Sequence, residues 1–353
     1  MIEHRRSERS GGFEQNSRYG DALVYLKTGC TLSSGSSLEW KRLNRVNVKY
    51  FSVCVILSPH GKNFSVCLAS EDLMPRRQLQ APIDLEDVPG YRWKDGLLGP
   101  DEPDPVGHVR PTGSSPFLVL CDHAGRLIPK SLGSLGVSPA DLARHIAYDI
   151  GALGVSERLS ERLDAELIYQ RYSRLVVDCN RPPHNPTAFV TLSDGTKIAG
   201  NLDLTVPAAA MRLSEIFHPY QARIEHVVRT RLAAKRPTVI LTVHSFTPWH
   251  TDYPTPRPWH LGLLFNKDRR LADALAEELK MTDDLVVGFN QPYALEDESD
   301  YAVPVYAEHR GLLGIEFEIR QDVITEPADQ IRWGDRLAGA LTAALRRITP
   351  EII

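Results

Sequence analysis

The sequence predicts an α/β fold on a largely parallel sheet, and three observations carry that expectation. From Phe117 onward, short apolar runs of strand length alternate with longer amphipathic stretches of helix length. Two of those runs end abruptly in polar, reactive residues, as strands do at the carboxyl edge of an open α/β sheet. No self-similar unit of about 20–50 residues recurs, which argues against a solenoid or propeller. Taken in order, the strands are expected at 117–122, 166–170, 174–179, 238–244, 260–265, 285–289 and 312–320. The helices are expected at 139–153, 156–164, 207–234, 267–280 and 327–347. The first has a start signal: Ser138 as N-cap, Pro139 in the first turn, and Asp141 three residues after the cap.

Bulk properties narrow the function classes. A chain of 353 residues suggests about two domains, although one α/β domain of about 250 residues is common. A net charge of −4 gives no electrostatic ground for nucleic acid or an anionic membrane as partner. Five cysteines, without CxxC spacing, argue against a disulfide framework and for a reducing compartment, hence a cytoplasmic protein. The basic start MIEHRRSERS is followed by no apolar segment of a secretory signal, and the run Tyr50–Leu57 is too short to span a bilayer.

Residues 1–73 differ from the rest. They hold 11 serines and three of the five cysteines (Cys30, Cys54, Cys67), with poor hydrophobic periodicity. Ten basic against seven acidic residues give them +3; with −4 for the whole chain, the remainder carries −7. They are expected to be disordered, or an upstream extension with translation starting at Met74. Residues 74–116 are expected as lead-in and linker, ending in the Pro/Gly/Asp-rich "GPDEPDPVGHVRPTGSSP". Residues 117–353 are expected as a single domain.

The chemistry should gather where strands end. "SSPFLVLCDHAGRLIPKSLG" ends a buried strand in Asp122 and His123, and "TVILTVHSFTP" ends another in His244 and Ser245. Two histidines at one sheet edge suit a zinc ion, which in catalytic sites takes three protein ligands and keeps an open position. In "ADLARHIAYDIGALG", His145 and Asp149 are four residues apart, on one face of the expected helix. Asp149 is the chosen third ligand, with Asp122 and His145 left as alternatives. In "GIEFEIRQD", period two puts Glu316, Glu318 and Arg320 on one strand face. Charges on an inner strand need partners, and a glutamate facing an activated water is a general base. Arg320 would neutralise a carboxylate or stabilise an oxyanion. "RYSRLVVDCNRPP" supplies Arg174, Asn180 and Arg181, whose guanidinium forks suit a substrate carboxylate. Tyr293, Thr247 and His309 are further candidates for the pocket wall. There is no G-x-G-x-x-G after a strand and no Walker-type P-loop, which excludes nucleotide binding by those motifs.

"CDHAGRLIP", "HIAYDIGA", "SRLVVDCNRP", "VHSFTP" and "HRGLLGIEFEIRQD" occur in that order. Together they resemble the N-formylglutamate amidohydrolase family over roughly residues 100–350. The resemblance implies a three-layer αβα fold with a central mixed, mostly parallel sheet, similar to zinc carboxypeptidases and aspartoacylases. It implies zinc-dependent hydrolysis of a small-molecule N-acyl amino acid, such as N-formyl-L-glutamate to formate and glutamate, in histidine breakdown. By position, His123 and His244 match the zinc histidines, Glu318 the general base, and Asn180–Arg181 a substrate-contacting pair. Where relatives of that fold carry His-x-x-Glu, the third residue after His123 is Arg126, so the remaining ligand must come from elsewhere. Two other readings stand beside this one: an amidase or peptidase of the same fold with another N-acyl substrate, and a non-catalytic binding module. Whether Glu316 or Glu318 is the base stays open at this point.

Overall fold

The computed structural model describes residues 15–19, 22–26, 52–57, 64–69, 96–251, 255–280 and 284–350. The chain divides into two units, 1–81 and 82–353. The first contributes two antiparallel hairpins, β1 (Gln15–Tyr19) with β2 (Ala22–Leu26), and β3 (Ser52–Leu57) with β4 (Phe64–Ala69). The rest of 1–73, and the lead-in as far as residue 95, lie outside the described residues.

The second unit is built on seven strands. In chain order these are β5 (Val106–Val109), β6 (Phe117–Cys121), β7 (Glu166–Gln170), β10 (Val239–Phe246), β11 (Leu261–Leu264), β12 (Val287–Phe289) and β13 (Leu313–Arg320). A small separate hairpin, β8 (Leu192–Ser193) with β9 (Thr196–Lys197), falls between β7 and β10. The sheet order is β12-β11-β13-β10-β6-β7-β5. The four central strands are parallel, while β11 against β13 and β5 against β7 are antiparallel. The sheet is therefore mixed and mostly parallel.

Helices cover both faces, which is why the central strands are apolar on both sides. Helices α1 (Ala152–Leu163), α4 (Arg270–Leu279) and α5 (Pro327–Ile348) pack one face through Val155, Leu159, Leu271, Leu275, Leu337, Leu341 and Leu345. The four-residue spacing of Leu337, Leu341 and Leu345 makes a single stripe along α5. Each such leucine stabilises the fold by about 1.5–3 kcal/mol through burial. On the other face, α2 (Val206–Arg212) runs through a π-helical turn into α3 (His218–Ala233), whose Ile224 and Val228 meet Leu118, Leu120 and Ile240. No helix of the described residues is long and apolar enough to cross a membrane.

Three expectations are corrected. Ser138 does cap: its Oγ accepts from the Asp141 amide at 3.1 Å and donates to Asp141 Oδ2 at 2.7 Å. Only a single 3-10 turn, Asp141–Ala143, follows, and the helix itself starts at Ala152, after Gly151 at φ +79°. Residues 174–179 form turns rather than a strand. Their apolar side chains are buried, but the free edge of β7 is already occupied by β5. That edge strand comes from residues 106–109, inside the segment expected as a linker.

Candidate active site

Strands β6 and β10 run parallel and adjacent, so their carboxyl ends deliver His123 and His244 side by side. The rings meet edge-on with centroids 4.8 Å apart, and the two Nδ1 atoms are 3.1 Å apart. Asp149 joins them from the turn before α1, where its backbone N–H donates to the carbonyl of His123 at 2.9 Å. Asp149 Oδ2 lies 2.8 Å from His244 Nδ1 and 3.4 Å from His123 Nδ1. His145, displaced by the broken helix, is not part of this triad.

Local chain geometry explains the convergence. After His123 the chain passes Gly125, where a Cβ would stand 1.9 Å from the carbonyl oxygen of Arg171. Only glycine lets residues 125–127 run against 171–173, where the Leu127 amide donates to Arg171 O at 3.2 Å. Gly151 plays the same part beside Asp149: its positive φ turns the chain into α1, and a Cβ would meet the Ile324 carbonyl at 2.3 Å.

Each triad member is held from behind. His123 Nε2 lies 2.7 Å from Asp178 Oδ1, a contact that favours the proton on Nε2 and, in the neutral ring, the lone pair on Nδ1. Asp178 in turn accepts from Arg174 Nη2 at 2.8 Å and from the Asn180 amide at 2.9 Å. Burial pushes the Asp178 carboxyl up, but Arg174 and His123 more than offset it and hold it well below the usual range. Behind His244, Nε2 faces Asp122 Oδ2 at 3.3 Å and Glu316 Oε2 at 3.6 Å. Burial opposes the charge on His244, yet the surrounding carboxylates raise its pKa well above the ordinary value.

The two glutamates of β13 part company here. Glu316 Oε2 accepts from Thr242 Oγ1 and from Asn180 Nδ2, both at 3.2 Å. Glu318 sits one full pleat nearer the strand end, in register with His244, and its Oε2 has no hydrogen-bond partner. Burial raises its pKa well above the carboxylate range, with Asp149 and Glu316 adding to the effect.

These groups line a cavity of about 240 Å³ that also includes His145, Arg174, Arg181, Ser193, His250, Tyr293 and Asp300. Burial brings the His145 pKa down to about 4, so it presents a neutral imidazole. Arg181 donates to Asp300 Oδ1 at 2.7 Å, rather than pairing with Asp178. Asn180 lines the cavity, but both ends of its amide are committed: Nδ2 to Glu316, and Oδ1 to the amides of Tyr301 and Ala302. Arg320 shares the strand face of the glutamates yet lies beyond the cavity. Its guanidinium bonds Asp322 at 2.7 Å and the carbonyls of Arg257 and Pro258. Neither Thr247 nor His309 lines the cavity. Asp194, Ser193, His250 and Asp300 were invisible to pattern reasoning because they stand in loops without periodicity. Asp194, in the β8–β9 turn, accepts from Arg144 at 2.6 Å and from the Thr251 amide at 2.8 Å, tying that hairpin to the cavity mouth.

The donor set fits a metal ion. Ligands about 2.0–2.2 Å from a tetrahedral zinc are about 3.3–3.6 Å from each other, and the triad atoms are 2.8–3.4 Å apart. Both oxygens of the buried Asp122 lack hydrogen-bond partners, and a cation held at His244 Nδ1 would place positive charge beyond the ring that they face.

Fold and site thus define a layered α/β protein with a buried His123–Asp149–His244 cluster that could hold a metal ion, and with Glu318 lining the same cavity. Residues 115–325 match the family model described as FGase, N-formylglutamate amidohydrolase, and the chain belongs to that family. It is an amidohydrolase. The structure of gene product Atu2144 from Agrobacterium tumefaciens is similar at 36% identity and a TM-score of 0.69, over 71% of this chain and 99% of that one. An N-formylglutamate amidohydrolase from Ralstonia eutropha JMP134 shares 19% identity at a TM-score of 0.47, over 70% of this chain and 98% of that one. No curated protein matches the sequence.

Proposed function

We propose that this amidohydrolase uses zinc and releases formate from N-formyl-L-glutamate. The carrying observation is the convergence of His123 Nδ1, His244 Nδ1 and Asp149 Oδ2 in the same cavity as Glu318, whose Oε2 has no hydrogen-bond partner. Zinc held by those three donors would supply a Lewis acid that polarises the amide carbonyl and brings the pKa of water towards neutrality.

Glu318 takes the proton of the attacking water, holds it on Oε2 and passes it to the leaving nitrogen, so water adds across the amide to give an acid and an amine. The raised pKa of Glu318 suits that task, because the carboxyl must both accept and release a proton. Arg174, anchored through Nη2 to Asp178 and with Nη1 3.6 Å from Asp149 Oδ1, lines the cavity and stabilises the oxyanion that forms on the carbonyl. Arg181, steadied by Asp300, receives a substrate carboxylate. Asn180 acts through Glu316 and the 301–302 backbone rather than on substrate. The chemistry belongs to the domain expected at 117–353, whose sheet begins as early as Val106.

The test is zinc content of the purified protein together with formate release from N-formyl-L-glutamate. About one zinc per chain and chelator-sensitive formate release support the reading. Turnover of N-acetyl or N-succinyl amino acids in its place would move the substrate but keep the mechanism. A folded protein without metal affinity would overturn it.

A further inference from the structure

We infer that Asp122 is the positioning residue that fixes His244 for the metal; the inference rests on the zinc reading above. Asp122 directly precedes the ligand His123 but serves the other histidine. It is 1% exposed, and neither of its oxygens has a hydrogen-bond partner, although a buried carboxylate normally accepts several. It faces the buried Tyr220 hydroxyl and His244 Nε2, the latter at 3.3 Å on the ring edge opposite the donor nitrogen Nδ1. His244 Nε2 is itself without a hydrogen-bond partner. An oxygen of Asp122 facing Nε2 favours the tautomer with its proton there, which leaves the Nδ1 lone pair free for a cation.

Glu316 also approaches Nε2, but at 3.6 Å, and the same oxygen already accepts from Thr242 and Asn180. The free acceptor capacity therefore belongs to Asp122. Facing Nε2 at 3.3 Å, Asp122 acts on the orientation of the ring, and the donor geometry at the metal distinguishes this role from ordinary packing. Asparagine at 122 keeps the shape and removes the charge. It can also turn its amide nitrogen to Nε2, which favours the tautomer that blocks Nδ1.

The experiment measures zinc affinity by competition with a chromophoric chelator, and the melting temperature of the metal-free protein, for the full chain, Asp122→Asn and Glu316→Gln. The cobalt(II)-substituted proteins give a visible spectrum that reports the donor geometry. The inference expects Asp122→Asn to weaken zinc binding about 10–100-fold, the usual cost of losing an outer-shell partner. It also expects an altered cobalt spectrum. Glu316→Gln should affect zinc less. Unchanged zinc affinity in Asp122→Asn overturns the inference, as does a loss that leaves the cobalt spectrum of the folded protein unaltered. A loss confined to Glu316→Gln transfers the role to Glu316 and overturns it as well. If the parent protein itself fails to bind zinc, both this inference and the zinc reading fall; a parent that binds while Asp122→Asn matches it removes the inference alone.

Discussion

Replacing Glu318 by glutamine tests the assignment of the general base. The substitution preserves shape in a site where the side chain is 6% exposed, and Oε2 has no hydrogen bond to lose. None of the hydrogen bonds or ion pairs that hold the triad runs through it, since Asp178, Asp122 and Glu316 stand behind the histidines. The loss should therefore fall on proton transfer alone. General-base catalysis contributes about 10²–10⁴-fold, which at about 1.36 kcal/mol per tenfold raises the barrier by roughly 3–5 kcal/mol. Burial already holds the Glu318 pKa well up, so a neutral isostere should not lower the melting temperature of the metal-free protein. The assay is kcat for formate release, with zinc content and thermal melting measured on the same preparations. Glu316→Gln is the companion, expected to disturb Thr242 and Asn180 more than catalysis. Normal turnover by Glu318→Gln would refute the assignment. Loss of zinc would refute it too, by showing that the carboxyl is a ligand.

Three other substitutions probe different links. Asp149→Ala removes a donor rather than a support, so zinc affinity should fall by more than the about 100-fold cost of an outer-shell partner, as read by chelator competition. Gly125→Ala drives a Cβ to 1.9 Å from Arg171 O, and should destabilise by about 1–3 kcal/mol or more in denaturant melts while weakening metal binding through His123. Asp194 has its pKa lowered to about 2; burial pushes the other way, but its bonds to Thr251 and the nearby histidines prevail. Its folded value lies below the unfolded one, so its contribution is present above the ordinary carboxylate pKa and is lost as pH falls towards about 2. Asp194→Asn should cost about 1–2 kcal/mol at neutral pH and flatten the stability profile between about pH 4 and pH 2.

How much was legible depended on where each residue sits. His123 and His244 could be expected at one sheet edge because one follows β6 and the other lies near the carboxyl end of β10, where ligands gather in an open α/β sheet. Glu316, Glu318 and Arg320 could be placed on one face by period two, but not sorted into roles. The distinction came from Thr242 and Asn180, which occupy Glu316 and leave Glu318 free. Asp149 was reached by a helical spacing that the structure does not contain: residues 144–150 are turns, and the aspartate arrives through its backbone bond to His123. The apolar run at 174–179 had strand composition, yet the sheet edge it would have taken is held by β5.

The sequence by itself determined the layered α/β class and the strands expected at 117–122 and 312–320, which form at Phe117–Cys121 and Leu313–Arg320. Those follow from local periodicity, because alternation and the 3.6-residue repeat are set by neighbours along the chain. The tertiary structure alone decided which donors meet. His244 reaches Asp149 across 95 residues and His123 across 121, in contacts that no local pattern encodes. It also decided that Arg320 meets the carbonyls of Arg257 and Pro258 and that Asp122 stands behind His244, since such partners are fixed by the packing of distant segments.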